Sequence, residues 1–98
     1  MVVEDTRGAG SLNFDGVIHE VTYGLTVTER GGLRDGSGQL LGKDVVLFDA
    51  YSADDTVYLE LKDGRVAPII ITRYMAGQGL AEFKLAGAIT GPAKPSMR

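Results

Sequence analysis

Between Val57 and Lys62, apolar and polar residues alternate. Val57, Leu59 and Leu61 fall on one side of an extended chain, and Tyr58, Glu60 and Lys62 on the other. Asp63-Gly64 follows, and an apolar run then resumes from Val66 to Ile71 with Pro68 inside it. The tightest hairpin loop needs positive φ at two successive residues, and Asp-Gly tolerates this well. The pattern therefore predicts a hairpin with Lys62 opposite Arg65, Leu61 opposite Val66, Leu59 opposite Pro68 and Val57 opposite Ile70. In that register Pro68 sits in a non-hydrogen-bonded pair, so its missing N–H points to the far side and predicts an edge or a bulge there. Ile69, Ile70 and Ile71 are apolar on both faces, which suits a closed barrel or a covered layer. Lys62 and Arg65 would form a like-charge pair that needs solvent.

The same alternation recurs upstream. Ser11 to Phe14 leads into Asp15-Gly16, and Val17 to Thr28 follows as a long strand. Val17, His19, Val21 and Tyr23 share one face; Ile18, Glu20 and Thr22 share the other. The register puts Ser11 opposite Glu20 and Leu12 opposite His19. Gly24 predicts a bulge or a sharp bend. Glu29 to Gly38 reads as a mobile, glycine-rich loop, Gln39 to Leu41 as a short strand, and Ser52 to Asp55 as a turn. Asp44 to Tyr51 fits two patterns. Asp44 is a suitable cap for a short helix, while the alternation of Val45 and Leu47 with Val46 and Phe48 favours a strand. Leu80 to Ile89 is a last strand with one firmly apolar face. Residues 1–7 read as a flexible segment and 91–98, with two prolines and no core residue, as a disordered tail.

Fourteen glycines are spread through the chain, and no long helical stripe escapes them. Gly8-Ala9-Gly10, Gly36-Ser37-Gly38 and Gly77-Gln78-Gly79 repeat a glycine spacing before each of three strands, which reads as shared loop chemistry. Valine, isoleucine, threonine and tyrosine favour pleated surfaces. The fold class is all-β: a single domain over residues 8–90, a small antiparallel barrel or sandwich of six to seven strands, with 44–51 the one place for a short helix.

Composition narrows the function classes. Ninety-eight residues bury roughly two thirds of their unfolded surface, enough for one core. With no cysteine there is no disulfide, thiolate zinc site or thiol nucleophile, and a reducing, cytoplasmic setting is expected. The acidic start carries no signal-peptide pattern. The longest apolar run, Val66 to Ile71, is too short to cross a bilayer as a helix. A net charge of -3 lacks the basic stripe of a nucleic-acid binder. The expected partners are therefore a second copy or another protein, not nucleic acid or membrane.

Candidate chemistry is sparse. Gly36 to Gly42 has a misplaced glycine for a phosphate loop and no evident helix after it. His19 is the single histidine, and no serine is placed beside it to act as nucleophile. Asp49, Asp54, Asp55 and Glu60 lack the spacing of a calcium loop. Tyr23, Tyr51, Tyr58 and Tyr74 could build a stacking platform, although without basic neighbours edge-of-core packing with the hydroxyl in water is the commoner explanation. The ligand-contacting candidates are His19, Tyr23, Tyr58 and Tyr74; no catalytic residue, metal ligand or cofactor is expected. The element order, with "VYLELKDGR" before an isoleucine strand and then "AEFKLAGAI", resembles small bacterial all-β domains of unknown function, a resemblance that implies no activity. The expectation is a non-enzymatic binding or assembly module that self-associates through a sheet edge or face. The alternative is a barrel that binds an apolar or small molecule in its interior.

Overall fold

The computed structural model describes residues 1–91. Six antiparallel strands close into a barrel in the order β1-β2-β3-β6-β5-β4. They are β1 (Val2–Phe14), β2 (Val17–Arg30), β3 (Leu33–Leu41), β4 (Val57–Glu60), β5 (Val66–Met75) and β6 (Leu80–Leu85), with one helix, α1 (Asp44–Tyr51), between β3 and β4. The chain thus makes two three-stranded meanders. They join where β3 pairs with β6 and where β4 pairs with β1.

The first hairpin forms as the alternation predicts. Phe14 pairs with Val17, Leu12 with His19 and Ser11 with Glu20. Asp15 and Gly16 both take positive φ, 54° and 76°, which matches the right-handed twist of the strands. Gly24 makes no bulge. Val21 and Tyr23 before it and Leu25 and Val27 after it are all buried, so the in-and-out alternation passes through without a change of phase.

Both strands also extend beyond their expected limits. Residues 2–7 are not a flexible segment but the first half of β1, paired with β2 from Val2 opposite Thr28 onward. Residues 29–38 are not a loop. Gly31-Gly32, at φ 61° and 84°, forms a second two-residue turn, and Asp35-Gly36 lies inside β3 opposite Thr28 and Val27. Backbone pairing overrides the low strand propensity of this polar, glycine-rich stretch.

The second hairpin differs from expectation by one residue. Leu61 N–H donates to the Arg65 carbonyl at 2.8 Å, Gly64 N–H donates to the Leu61 carbonyl at 3.0 Å, and only Gly64 of the pair has positive φ, at 92°. The loop is therefore Lys62-Asp63-Gly64, a three-residue connection closed by glycine. Leu59 pairs with Ala67, Tyr58 with Pro68 and Val57 with Ile69. Val57, Leu59 and Leu61 face inward as expected, but the inward partners of Val57 and Leu59 are Ile69 and Ala67, and Leu61 lies opposite Arg65 at the loop. Lys62 and Arg65 do not pair. Pro68 still occupies a non-hydrogen-bonded position, and the irregularity expected on its far side is present. The β5–β6 ladder stops at Ile69–Leu85. Ala86 N–H reaches the Pro68 carbonyl at 2.8 Å, and residues 87–89 loop out before an isolated Val66–Thr90 bridge.

Residues 44–51 form a helix, against the strand that the alternation favoured. Val46, Leu47 and Ala50 are the buried residues, a helical spacing, and they join the strand residues in one continuous core. The helix covers the barrel end that holds the Asp15-Gly16 turn. Asp44 is not its cap, because Lys43 occupies that position with no side-chain bond. Asp44 instead accepts hydrogen bonds from the Tyr74 hydroxyl at 2.6 Å and Gly77 N–H at 2.8 Å, tying the helix start to the β5–β6 turn.

Inside the barrel, Leu12, Tyr23, Leu25, Leu40, Leu59, Ile69 and Phe83 are almost wholly buried. Two of the Gly-X-Gly pairs serve this core rather than loops. Gly10 on β1 and Gly38 on β3 face inward. A Cβ on Gly10 would lie 3.0 Å from the Tyr23 ring, and one on Gly38 would lie 3.0 Å from Phe83 and collide with the Gly24 carbonyl. These glycines leave the room the two large rings fill. Only Gly77-Gln78-Gly79 is a turn. The tail, residues 92–98, lies outside the described residues.

Candidate functional site

The four candidate side chains do not converge. Tyr23 is 2% exposed, inside the barrel, where its hydroxyl accepts the Lys62 N–H at 3.1 Å. Tyr58 lies on the outer face of β4, opposite Pro68 and Asn13. Tyr74 lies beside α1 and stacks on Tyr51, with ring centroids 5.8 Å apart, and meets Phe48 at 5.7 Å. The Tyr74 hydroxyl donates a hydrogen bond to the Asp44 carboxylate, so Asp44 titrates below the usual carboxylate range and Tyr74 above the usual phenol range. His19 is half-buried near the helix-covered end, with its ring 5.2 Å from Phe14.

Pairing does assemble one polar group that alternation alone could not show. Ser11 lies between Glu20 on β2 and Glu60 on β4, in an open groove of about 970 Å³ that Thr22 and Lys43 also line. Each carboxylate is in a different strand, so their meeting at Ser11 depends on barrel closure. No hydrogen bond links them to the serine hydroxyl. Near His19, partial desolvation and the carboxylates of Asp55, Asp54 and Asp49 push the Asp15 carboxyl upward. Among the described residues, no cluster of three acids or histidines is arranged to hold a metal.

One run of unfilled bonding capacity is on the backbone of β1. The pair that flanks a two-residue loop, here Phe14–Val17, is hydrogen-bonded, and bonded pairs then alternate along the hairpin. Leu12, Gly10, Gly8 and Thr6 therefore bond to β2. Asn13, Ser11, Ala9, Arg7 and Asp5 direct their N–H and C=O groups the other way. At Asn13 and Ser11 they meet Tyr58 and Glu60 of β4. Below Ser11, β4 has ended and turned into the Lys62-Asp63-Gly64 loop, and no strand among the described residues continues the pairing. Ala9, Arg7 and Asp5 thus present a free sheet edge, with their side chains exposed on the outer face.

The inner side of this edge is braced. Glu4 accepts two hydrogen bonds from the Arg65 guanidinium, that from Nη1 at 3.0 Å, and Arg65 Nε donates to Asp63 at 2.8 Å. The Arg65 contact holds the Glu4 carboxyl below its usual range, and Glu4 and Asp63 hold the guanidinium charged. The Lys62 methylenes pass over Gly8, where a Cβ would not fit. Side chains from the β4–β5 loop therefore fix the direction of β1 without using its outward backbone groups. Free edges are commonly blunted by proline, lysine or a bulge. Residues 3–10 contain neither proline nor lysine, and the one irregularity lies at the extreme end, between Val2 and Glu4.

No protein-family model, curated protein or solved structure matches the chain. Among the described residues, no helix is long and apolar enough to cross a membrane.

Proposed function

We propose that this domain is a non-enzymatic binding or assembly module that engages its partner by strand addition along the free half of β1. The observation that carries the reading is the run of outward backbone groups at Asp5, Arg7 and Ala9, left unpaired where β4 stops at Glu60. Main-chain hydrogen bonds supply affinity in such complexes, and side chains at alternate positions supply specificity. The bracing of Glu4 by Arg65 supports the same reading, because an ordered edge loses less entropy on pairing. The absence of cysteine supports a reducing, cytoplasmic setting.

Site-specific photocrosslinking in expressing cells tests this. A photoreactive residue at position 7 or 9 is expected to give a crosslinked species, whereas one at Lys84, on the outer face of the paired strand β6, is expected to give none. Equal crosslinking at all three positions, or none at 7 and 9, would sink the reading.

One observation favours a small-molecule site as a second reading. At the barrel end away from the helix, Val27, Leu85 and Ile89 floor a recess of about 450 Å³ with Arg34 and Arg65 at its rim. A ligand there would sit at the mouth, since side chains occupy the interior. Titration with short apolar carboxylates, read as amide shifts at Leu85 and Ile89, tests it; shifts no larger there than at Lys84 would dismiss it.

A further inference from the structure

We infer that the strand added to β1 is β1 of a second copy of this chain, in one register centred on Thr6. This rests on the strand-addition reading and names its partner. A two-fold axis that joins two antiparallel edge strands keeps the same sheet face on the same side. Outward residues must then oppose outward residues. Asp5, Arg7 and Ala9, which carry the free backbone groups, can therefore oppose only one another or Val3.

Centring on Gly8 would put Asp5 opposite Ser11, whose outward groups already meet Glu60 of β4; of the three registers centred on Asp5, Thr6 and Arg7, charge singles out one. Centring on Asp5 places Asp5 against its own copy. Centring on Arg7 places Arg7 against its own copy. Like charges directly opposite across strands are unfavourable. Centring on Thr6 places Asp5 opposite Arg7 twice and Val3 opposite Ala9 twice. The two Asp5–Arg7 pairs are also the ones whose free N–H and C=O groups would bond, while Val3 lies at the irregularity between Val2 and Glu4. Thr6 would meet Thr6 of the second copy at the axis, in the closer, non-hydrogen-bonded kind of pair, a favourable cross-strand combination.

The side chains are free to act in this way. Arg7 makes no salt bridge among the described residues. Asp5 accepts one hydrogen bond, from the Thr26 hydroxyl at 3.4 Å, on a single carboxylate oxygen. The product is one continuous sheet, β3-β2-β1 running into β1-β2-β3 of the second copy, and it removes both free edges at once.

Sedimentation velocity and native mass spectrometry of the purified chain over a concentration series test the inference. The wild type is expected to form a dimer. Asp5→Arg and Arg7→Asp each turn two opposite-charge pairs into two like-charge pairs and should each weaken the dimer by about tenfold or more. Mixing the two variants should restore a heterodimer, because every facing pair is again of opposite sign. Circular dichroism melts confirm that each variant is folded. A dimer indifferent to both swaps, or a mixture that stays monomeric, overturns the register. A monomeric wild type overturns self-pairing; strand addition still stands if positions 7 and 9 crosslink to another protein in cells, and falls with it if they crosslink to nothing.

Discussion

The first meander is built from strands of 13, 14 and 9 residues, the second from strands of 4, 10 and 6. Both line the same core, yet they divide the work differently. The short meander supplies apolar bulk: Leu59, Ile69, Ile71 and Phe83 point inward. The long meander supplies Tyr23, Leu25 and Leu40, and beside them inward glycines that make room for rings on the neighbouring strands. Closure uses only as much of the long strands as the short ones can reach. The surplus of β1 becomes an edge. The free surface is thus a consequence of unequal strand lengths around one closed core.

The sharpest way to break the long meander is to fill its inner wall. Gly38→Ala puts a Cβ against the Gly24 carbonyl and the Phe83 ring. Backbone cannot step aside as a flexible side chain can, so a loss of about 3 kcal/mol or more is expected in urea denaturation. Gly24→Ala, on the neighbouring strand, is the control. It has open space around the new methyl and no positive φ, so a gain of about 0.5 kcal/mol is expected from the restricted unfolded chain. Equal effects at the two sites would show that the inner wall is not close-packed.

A smaller effect tests the polar link from Tyr23 on β2 to the β4–β5 loop. Tyr23→Phe keeps the ring over Gly10 but removes the acceptor for the Lys62 N–H. The expected loss is about 1 kcal/mol, with faster amide exchange at Lys62. Unchanged exchange at Lys62 would mean that the hydroxyl does not hold the β4–β5 loop.

How far each region could be read from sequence follows from how one-sided its alternation is. In β2, His19, Val21 and Tyr23 face Glu20 and Thr22 across a clear polar boundary, so the register of the first hairpin was legible to the residue. In β5, Ile69, Ile70 and Ile71 satisfy either face. A slip of one residue exchanges Ile70 for Ile69 and Ile71 at almost no hydrophobic cost. The choice falls to the turn, where the Asp63 carboxylate accepts the Arg65 N–H at 3.0 Å. Residues 44–51 were ambiguous for the same reason, and only a barrel end needing cover decides for the helix. The candidate site was the least legible part. Residues 3–10 have no apolar stripe, and their strand state depends on pairing with β2. The free edge depends further on where β4 stops, and the placing of Glu20 and Glu60 on either side of Ser11 depends on closure. The aromatic candidates were legible as residues but not as places: Tyr23 went to the core, Tyr58 to the outer wall and Tyr74 to the helix.

The subtlest comparison sets the two Asp-Gly turns against each other. Asp15 has its pKa raised above the usual 3.8 by partial desolvation and by Asp55, Asp54 and Asp49. Asp63 has its pKa lowered below 3.8 by the backbone N–H and then the side chain of Arg65. A carboxyl with a raised folded pKa adds stability below its unfolded value and loses it as pH rises through the folded one. A carboxyl with a lowered folded pKa adds stability above its unfolded value and loses it as pH falls through the folded one. Asn keeps the turn geometry at either site, including positive φ at position 15. Asp15→Asn should therefore raise the melting midpoint at pH 7. Asp63→Asn should lower it, with a loss of stability of no more than about 0.5 kcal/mol because solvent screens this exposed pair. The two offsets should have opposite signs at neutral pH and fade in different windows: that of Asp15 as pH falls through its raised pKa toward 3.8, that of Asp63 only as pH falls below 3.8. Thermal melts of both variants from pH 7 to pH 3 check this. Offsets of the same sign at pH 7 would show that the two dipeptides sit in equivalent electrostatic surroundings, against the geometry of their loops.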